Sequence, residues 1–313
     1  MPILRAVLFA VLLSVIAMPV IAMPVIAAAG TPLRWFQQPE GVQGSRTPYG
    51  DNELAARRVQ AGDAAIYYEV YGEGRPLFVF HGGGVGSPYE LGALIDELRD
   101  SWRVVVVSSR GHGRSELGKA PFSFEQMASD MHAVVQAEAR GPAPVIGFSA
   151  GAYAALSLAA RHPGDVERIA AIGAGTLQPG FFQAGMPLAA LEQADRAYVG
   201  QMRRLAPEPE RLQDFLTRFM AFWHGASAGK DLFAKVPCPV LLVAGDEDDH
   251  APVRTVLEAH QLLACSRLCI VPKAWHACFL DNFPVTWAAV RQFLVAPAAD
   301  LQGSKKVPAN SAR

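Results

Sequence analysis

The sequence predicts an α/β protein with a doubly wound, mostly parallel β-sheet and a helical cap insertion. Three observations support this fold class. Short β-branched runs alternate with amphipathic helical patterns from residue 77 onwards, and these runs are apolar on both faces, as in a sheet covered on both sides. The stretch 176–235 interrupts the alternation with helical patterns alone. Alternation of this kind joins parallel strands through right-handed crossovers.

The composition agrees with a globular chain that buries a full hydrophobic core. Of the 313 residues, 51% are hydrophobic and 18% are charged, which excludes a disordered chain and a coiled coil. Lys and Arg total 28 against 29 Asp and Glu, so no net charge favours a nucleic acid as a partner. Four cysteines are too few to form the framework of a disulfide-dependent fold.

Residues 1–29 are expected to be a secretory signal peptide. An uncharged run covers residues 6–29, and its end, Ala27-Ala28-Ala29, has the small-x-small pattern of a cleavage site. The run is long enough to span a membrane, but Pro19 and Pro24 would interrupt a helix. We therefore expect export to the periplasm or the medium. An uncleaved N-terminal anchor is the alternative, and a stable membrane partner is expected only in that case.

The rest of the chain divides by composition and pattern. Residues 30–55 are rich in Pro, Gly, Gln and Ser, as in an N-terminal arm or linker without chemistry of its own. Residues 56–175 and 236–296 carry the alternation of strands and helices, and residues 176–235 between them form the cap. Residues 297–313 are expected to be a flexible tail.

The predicted strands begin with a hairpin around the turn-prone pair Gly62-Asp63. The eight predicted strands are residues 56–60, 64–71, 77–80, 104–108, 144–148, 168–172, 240–244 and 268–271. Helical spacing lies between them, and Ser123 with Gln126 forms a capping box at the start of one helix. Two further helices, residues 187–205 and 210–224, are predicted for the cap.

A nucleophile motif lies where one predicted strand runs directly into a helix. Residues 147–151 read Gly-Phe-Ser-Ala-Gly, which places Ser149 in a strained strand-to-helix turn. Glycine on either side allows the neighbouring backbone to approach without a Cβ clash. An incidental serine in a glycine-rich loop is the alternative, but the strand before and the helix after favour a nucleophile.

A serine hydroxyl is a poor nucleophile until a neighbouring base takes its proton. His276 is the candidate among the eight histidines because it follows the last predicted strand, at the sheet edge where Ser149 is expected. Two others, His81 and His112, lie in glycine-rich turns and are expected to hold loops.

The acid that orients this histidine is expected in the loop Gly245-Asp246-Glu247-Asp248-Asp249. Asp248 is preferred because the pattern Gly-x-x-Asp followed by Pro252 places it at the apex of the turn, and Asp246 and Asp249 remain open as alternatives. Two backbone N–H groups would bind the oxyanion of the tetrahedral intermediate. One is expected from Ala150 and the other from Gly83 in His-Gly-Gly-Gly, with Gly82 as the alternative.

Taken together, these motifs resemble the α/β-hydrolase family over residues 60–295. They are His-Gly-Gly-Gly, Arg110-Gly-His-Gly-Arg-Ser115, Gly-Phe-Ser-Ala-Gly, Gly245-Asp-Glu-Asp248 and Trp275-His276. The second motif resembles the short esterase, perhydrolase and lactonase branch. The resemblance implies acyl transfer, in which Ser149 attacks an ester or lactone carbonyl and His276 acts as base and then as acid. No metal or organic cofactor is expected.

A small-to-medium apolar ester is the expected small-molecule partner. The residues expected to line its pocket are Gly82, Phe148, Phe219, Trp223 and Trp275. The cap carries an aromatic stripe at helical spacing, formed by Phe215, Phe219, Phe222 and Trp223. Packing of the cap onto the main layer is the alternative role of this stripe. An acyltransferase or perhydrolase that uses another acceptor, and a non-catalytic ligand-binding protein, are the alternative functions.

The cysteines carry one further expectation. In an oxidising compartment Cys265 and Cys269 are the candidate disulfide, and buried free thiols are the alternative.

Overall fold

The computed structural model describes residues 32–301, so the expected signal peptide lies outside the described residues. Eight strands lie in that part of the chain. They are β1 (Ala56–Ala61), β2 (Ala64–Tyr71), β3 (Pro76–Phe80), β4 (Arg103–Val107), β5 (Ala143–Phe148), β6 (Val166–Ile172), β7 (Val240–Gly245) and β8 (Ser266–Val271). Each corresponds to a predicted strand, with ends that differ by at most two residues.

The eight strands form a single sheet with the order β1-β2-β4-β3-β5-β6-β7-β8. The pairs β1–β2 and β2–β4 are antiparallel, and all the others are parallel. This confirms the predicted doubly wound, mostly parallel sheet. The carboxyl ends of β3, β5, β7 and β8 therefore meet at one edge, where open parallel sheets gather their functional residues.

Eleven helices lie among the described residues. They are α1 (Gly92–Leu98), α2 (Phe124–Glu138), α3 (Ala150–Arg161), α4 (Leu188–Ala194), α5 (Arg196–Leu205), α6 (Leu212–Gly225), α7 (Lys230–Phe233), α8 (Val253–Leu262), α9 (Cys278–Asp281), α10 (Phe283–Val295) and α11 (Ala298–Leu301). A short 3-10 helix, Pro88–Leu91, precedes α1. The Ser123 hydroxyl accepts a hydrogen bond from the Gln126 N–H (3.0 Å) and so caps α2, whereas the Gln126 side chain binds Asp130 instead of closing the capping box.

Two hydrophobic cores cover the two faces of the sheet. Alternate side chains of each strand point to opposite faces, so Phe78 and Phe80 join the core beneath α2, α3 and α8. Leu77 and Val79 join the other core, beneath α1 and α10. The turn between β5 and α3, which contains Ser149, is thus held from both sides by well-packed layers.

Three elements differ from the predictions. β8 is an edge strand that pairs with β7 alone, and most of its side chains are half-exposed instead of buried. The first predicted cap helix is two helices, because Asp195 leaves the helical conformation and caps α5 with a hydrogen bond from the Tyr198 N–H. The beginning of the predicted flexible tail forms α11, whose Leu301 is buried.

The arm before β1 packs against the sheet. Tyr49 is fully buried and its hydroxyl donates to Asp96 in α1 at 2.8 Å. The buried carboxylate of Glu69 in β2 accepts hydrogen bonds from the backbone N–H groups of Gly50 and Asn52. These contacts tie the arm to the core as an ordered segment.

The four cysteines are all free. The candidate disulfide between Cys265 and Cys269 is therefore wrong. Four residues along an extended strand span roughly 13 Å, whereas bridged cysteines have Cα atoms less than about 7 Å apart. The Cys265 thiol instead donates to the Leu301 carbonyl oxygen. Cys238 and Cys278 are buried, which raises the pKa of each thiol to about 12.

None of the helices in residues 32–301 combines the length and the apolar character needed to cross a bilayer.

A buried ion pair fastens the turn after β4 to α2. The guanidinium of Arg110 donates to both carboxylate oxygens of Asp130 at 2.8 Å, and both side chains are 2% exposed. Arg110 also binds the Ala61 carbonyl oxygen in β1 and the carboxylate of Asp63. The pair thus joins the β1–β2 hairpin to the layer that supports the sheet edge.

We expect Arg110→Met to lower the free energy of unfolding by about 3–5 kcal/mol, because it leaves the Asp130 carboxylate buried without its cationic partner and with only the Gln126 amide as a donor. Denaturant titration would measure this loss. Arg254→Met is the matched control, since it removes an exposed pair with Glu258 and should cost about 0–1 kcal/mol. Equal losses in the two variants would contradict the role given to the buried pair.

Candidate active site

The turn between β5 and α3 holds Ser149 in a strained conformation. Its φ of 50° and ψ of −119° lie in a region of backbone conformation where residues other than glycine are rare. A Cβ on Gly147 would lie 2.5 Å from the Gly151 carbonyl oxygen, and a Cβ on Gly151 would lie 2.4 Å from the Phe80 carbonyl oxygen. Glycine is therefore required at both positions, which is the physical reason for the Gly-x-Ser-x-Gly pattern.

The structure brings Ser149, His276 and Asp248 into one chain of hydrogen bonds. The Nε2 atom of His276 lies 2.8 Å from the Ser149 hydroxyl oxygen. Its Nδ1 atom lies 2.9 and 3.0 Å from the two carboxylate oxygens of Asp248. The serine comes from the end of β5, the aspartate from the loop after β7, and the histidine from the loop after β8. These loops meet because their strands are parallel.

Asp248 is the acid of its loop that contacts the histidine. Asp246 accepts a hydrogen bond from the Ala274 N–H, and Asp249 is exposed beside His250. Asp248 is 5% exposed, and its Oδ1 atom also accepts from the N–H groups of His250 and Ala251. Burial acts to raise the pKa of Asp248, but the hydrogen bond and charge of His276 and these two N–H groups outweigh it and hold the pKa below its ordinary value.

Gly83 and Ala150 lie next to each other beside the serine. A Cβ built on Gly83 would lie 2.9 Å from the Cβ of Ala150. The Ala150 N–H opens α3, where the first amides have no partner within the helix. The alternative donor, the Gly82 N–H, already donates to the Glu90 carboxylate at 3.0 Å. The geometry therefore favours Gly83 over Gly82 as the second donor.

Both backbone polar groups of Gly82, its N–H and its carbonyl oxygen, form hydrogen bonds with side chains. His81 accepts a hydrogen bond from the Ser109 N–H at Nε2 (3.0 Å), so its Nδ1 carries the proton and donates to the Gly82 carbonyl oxygen at 2.6 Å. Burial, together with the nearby His112, lowers the pKa of His81 to about 3. The imidazole is therefore neutral, as this pattern of one donor and one acceptor requires. His112 binds the Arg110 carbonyl oxygen, so both histidines hold loops as predicted from the sequence.

A cavity of about 300 Å³ opens beside the serine and is mostly apolar. Gly82, Phe148, Phe219 and Trp223 line it as predicted, whereas Phe215 of the same aromatic stripe packs against His112 instead. The cap helix α6 thus serves both of the roles considered for the stripe. A cavity of this kind, with few polar groups near a nucleophile, suits a small apolar ligand.

Trp275 does not line this cavity, which corrects the prediction for that residue. It is 56% exposed, and its backbone N–H donates to the Asp281 carboxylate. The next residue, His276, faces the serine, and consecutive residues of this turn present their side chains in different directions.

Several lining residues were missed from the sequence, among them Trp35, Phe36, Glu90 and His250. The imidazole of His250 stacks on that of His276, with ring centroids 4.8 Å apart. Trp35 and Phe36 belong to the arm that was expected to carry no chemistry. An adjacent pair of large aromatic residues within a polar, proline-rich segment was the available signal, because such a pair gains free energy only when it is buried.

Comparison with known proteins agrees with the observed fold. The family model for the alpha/beta hydrolase fold matches residues 75–283. A pimeloyl-[acyl-carrier protein] methyl ester esterase from Neisseria meningitidis serogroup C is 28% identical over 252 residues, which cover 70% of this chain and 93% of that protein.

Solved structures show the same fold. A serine hydrolase of carbazole degradation, CarC, aligns with a TM-score of 0.65 and 22% identity, covering 76% of this chain and 98% of that one. The esterase RhEst1 from Rhodococcus sp. ECU1013 aligns with a TM-score of 0.61 and 22% identity, covering 77% and 98%. At this level of identity the likeness concerns the fold.

We expect Glu90→Gln to stabilise the protein at alkaline pH more than at acidic pH. Burial raises the pKa of Glu90 from 4.5 to about 8, against the smaller opposing effect of the Gly82 and Ser87 N–H groups. Because the folded-state pKa lies above the unfolded one, the stability of the wild type falls as pH rises from 4.5 to 8. Glutamine stays neutral and keeps an acceptor for Gly82.

Thermal unfolding of the wild type and the variant at pH 5 and pH 9 would measure this difference. Glu97→Gln, on the exposed side of α1, is the control and should show no comparable trend. A gain in melting temperature that is the same at both pH values would contradict the proposed burial of the Glu90 carboxyl group.

Proposed function

Since this chain belongs to the α/β-hydrolase family, we propose that it is a serine esterase that cleaves a small-to-medium apolar ester or lactone through an acyl-enzyme on Ser149. The continuous hydrogen bonds from Asp248 through His276 to Ser149 carry this proposal. A protein that only binds a ligand has no chemical need for this arrangement. The esterase from Neisseria meningitidis among the relatives supports esters as the substrate class.

Acylation begins when the Ser149 hydroxyl attacks the ester carbonyl carbon. The His276 Nε2 atom takes the hydroxyl proton, and Asp248 stabilises the imidazolium that forms. The carbonyl oxygen becomes an oxyanion that accepts hydrogen bonds from the N–H groups of Gly83 and Ala150. Collapse of this tetrahedral intermediate breaks the ester C–O bond, and His276 returns the proton to the departing alcohol.

Deacylation repeats these steps with water as the nucleophile. His276 removes a proton from water, the hydroxide adds to the acyl carbon, and the Ser149 oxygen leaves and recovers its proton. Each oxyanion N–H group contributes roughly 3–4 kcal/mol of transition-state stabilisation in enzymes of this kind. The rigid hold on Gly82 supports this role because it keeps the neighbouring Gly83 amide in place before substrate binds.

The substrate class follows from the wall of the cavity. Phe148, Phe219 and Trp223 present apolar rings beside Ser149. The Glu90 carboxyl group, whose raised pKa favours the neutral form at neutral pH, adds little charge. Such a wall favours neutral alkyl or aryl groups over charged ones, because a charged ester would lose its hydration without a partner.

The proposed location is outside the cytoplasm, and it rests on the signal-like pattern of residues 1–29. Expression of the full chain with mass analysis of the extracted protein tests this proposal. We expect a mature N-terminus near Gly30. An intact N-terminus on a membrane-bound product would instead favour the uncleaved anchor.

A fluorophosphonate probe tests the nucleophile directly. We expect the wild type to be labelled and Ser149→Ala to remain unlabelled, because the probe reacts with an activated serine hydroxyl.

We further expect Asp248→Asn to lower kcat on an apolar aryl ester by about 10³- to 10⁴-fold, since the histidine loses its orienting carboxylate.

Asp249→Asn is the matched control from the same loop, and its turnover should stay near that of the wild type. If Asp249→Asn were the variant with the large loss, the acid would be wrongly assigned. Absence of labelling in the wild type would overturn the esterase proposal and favour a ligand-binding protein.

A further inference from the structure

Residues 33–38, which we call the strap, run across the cap helix α5. The backbone N–H of Arg34 donates to the side-chain oxygen of Gln201 (3.0 Å), and the Gln201 amide donates to the Arg34 carbonyl oxygen (2.8 Å). Two hydrogen bonds between the backbone of Arg34 and the side chain of Gln201 therefore bind the strap to α5.

Asp195 supplies a second anchor. Its Oδ2 atom accepts from the Gln37 N–H at 2.8 Å and lies 3.0 Å from the Arg34 guanidinium. Its Oδ1 atom accepts from the Tyr198 N–H and so caps α5. Asp195 and Gln201 are each 8% exposed, so these polar side chains of the cap are buried by the strap.

The aromatic side chains of the strap face the substrate cavity. Trp35 and Phe36 both line it. The Phe36 ring meets the Tyr198 ring edge-on at 5.7 Å, and the Trp35 ring lies 6.4 Å from the Tyr89 ring. The Tyr198 hydroxyl in turn donates to the Val85 carbonyl oxygen at 2.6 Å, just after the three glycines of residues 82–84. The strap thus forms one wall of the cavity that contains Ser149.

This wall is outside the part of the chain that matches the family, which begins at residue 75. The matched region contains the proposed nucleophile, base and acid. Trp35 and Phe36 of the strap lie outside the matched region. Contacts between aromatic rings favour aryl ligands by about 0.5–1.5 kcal/mol beyond the burial of area. The strap is therefore positioned to contact a part of the ligand away from Ser149.

We propose that Trp35 and Phe36 form a specificity subsite for an aryl or arylalkyl group of the ester. The proposal rests on the proposed esterase function. The rings contact the non-reacting part of the substrate, so they affect binding in the ground state and the transition state alike. Their loss therefore raises KM for aryl esters and leaves kcat unchanged.

The test compares four esters by pH-stat titration with the full chain. Methyl 3-phenylpropionate and methyl butyrate differ in the acyl group, and benzyl acetate and ethyl acetate differ in the alcohol. For Trp35→Ala and Phe36→Ala we expect KM to rise about 3- to 10-fold for at least one aryl ester. The KM and kcat for its alkyl counterpart, and the rate of fluorophosphonate labelling, should stay near the wild-type values.

Two further variants separate binding from structure. Trp35→Phe keeps a ring and should restore most of the aryl preference. Leu54→Ala, which changes a 97% exposed residue of the arm, should leave all four esters unaffected. An aryl-to-alkyl ratio equal to that of the wild type in both alanine variants, or an equal loss on all four esters, would overturn the subsite.

Release of the strap provides an independent measurement. Gln201→Ala removes both backbone hydrogen bonds of Arg34, so trypsin should cleave after Arg34 faster than in the wild type, and the aryl preference should fall in parallel. Faster cleavage with an unchanged aryl preference would also contradict the proposal. If Ser149 is labelled in every variant, the esterase proposal stands, whichever result is obtained for the strap.

Discussion

A serine held in a left-handed backbone conformation is the constraint on which the site depends. The turn at Ser149 can form only if Gly147 and Gly151 have no side chains, because the carbonyl oxygens around them lie within 2.4–2.5 Å of where a Cβ would be. The closest of these oxygens, that of Phe80, belongs to the end of β3, next to the glycine-rich loop of residues 81–86. The close packing of the Ser149 turn against the end of β3 thus fixes the distance between Ser149 and the loop that follows β3. Packing on both faces of the sheet compensates for the strain.

Around this turn, hydrogen bonds connect the core to the loops that line the cavity. His81, at the sheet edge, binds the carbonyl oxygen of Gly82. Glu90, in the short helix before α1, binds the N–H of Gly82. Tyr198 reaches the same loop from the cap through the Val85 carbonyl oxygen. The cap, the strap and the glycine-rich loop after β3 are therefore connected through hydrogen bonds.

Much of the fold and the central triad could be predicted because their signals are local. β-branched runs and the Gly-x-Ser-x-Gly turn depend on steric rules that act over a few residues, and parallel strands bring loop residues such as Asp248 together. The strap could not be predicted in this way. Its order depends on contacts such as that between Arg34 and Gln201, which are 167 positions apart. The break at Asp195 was missed for a related reason, since a hydrophobic period continues across a helix cap.

Burial of two of the four unpaired thiols has a consequence for their reactivity. Thiolate is the form that attacks disulfides and is oxidised by peroxide, and its fraction falls tenfold for each unit that the pKa exceeds the pH. With a pKa of about 12, Cys238 and Cys278 have very little thiolate at neutral pH, and burial also shields them from contact. In the folded chain, burial therefore disfavours disulfide exchange and oxidation at these two sulfur atoms, whereas Cys265 and Cys269 are only partly buried.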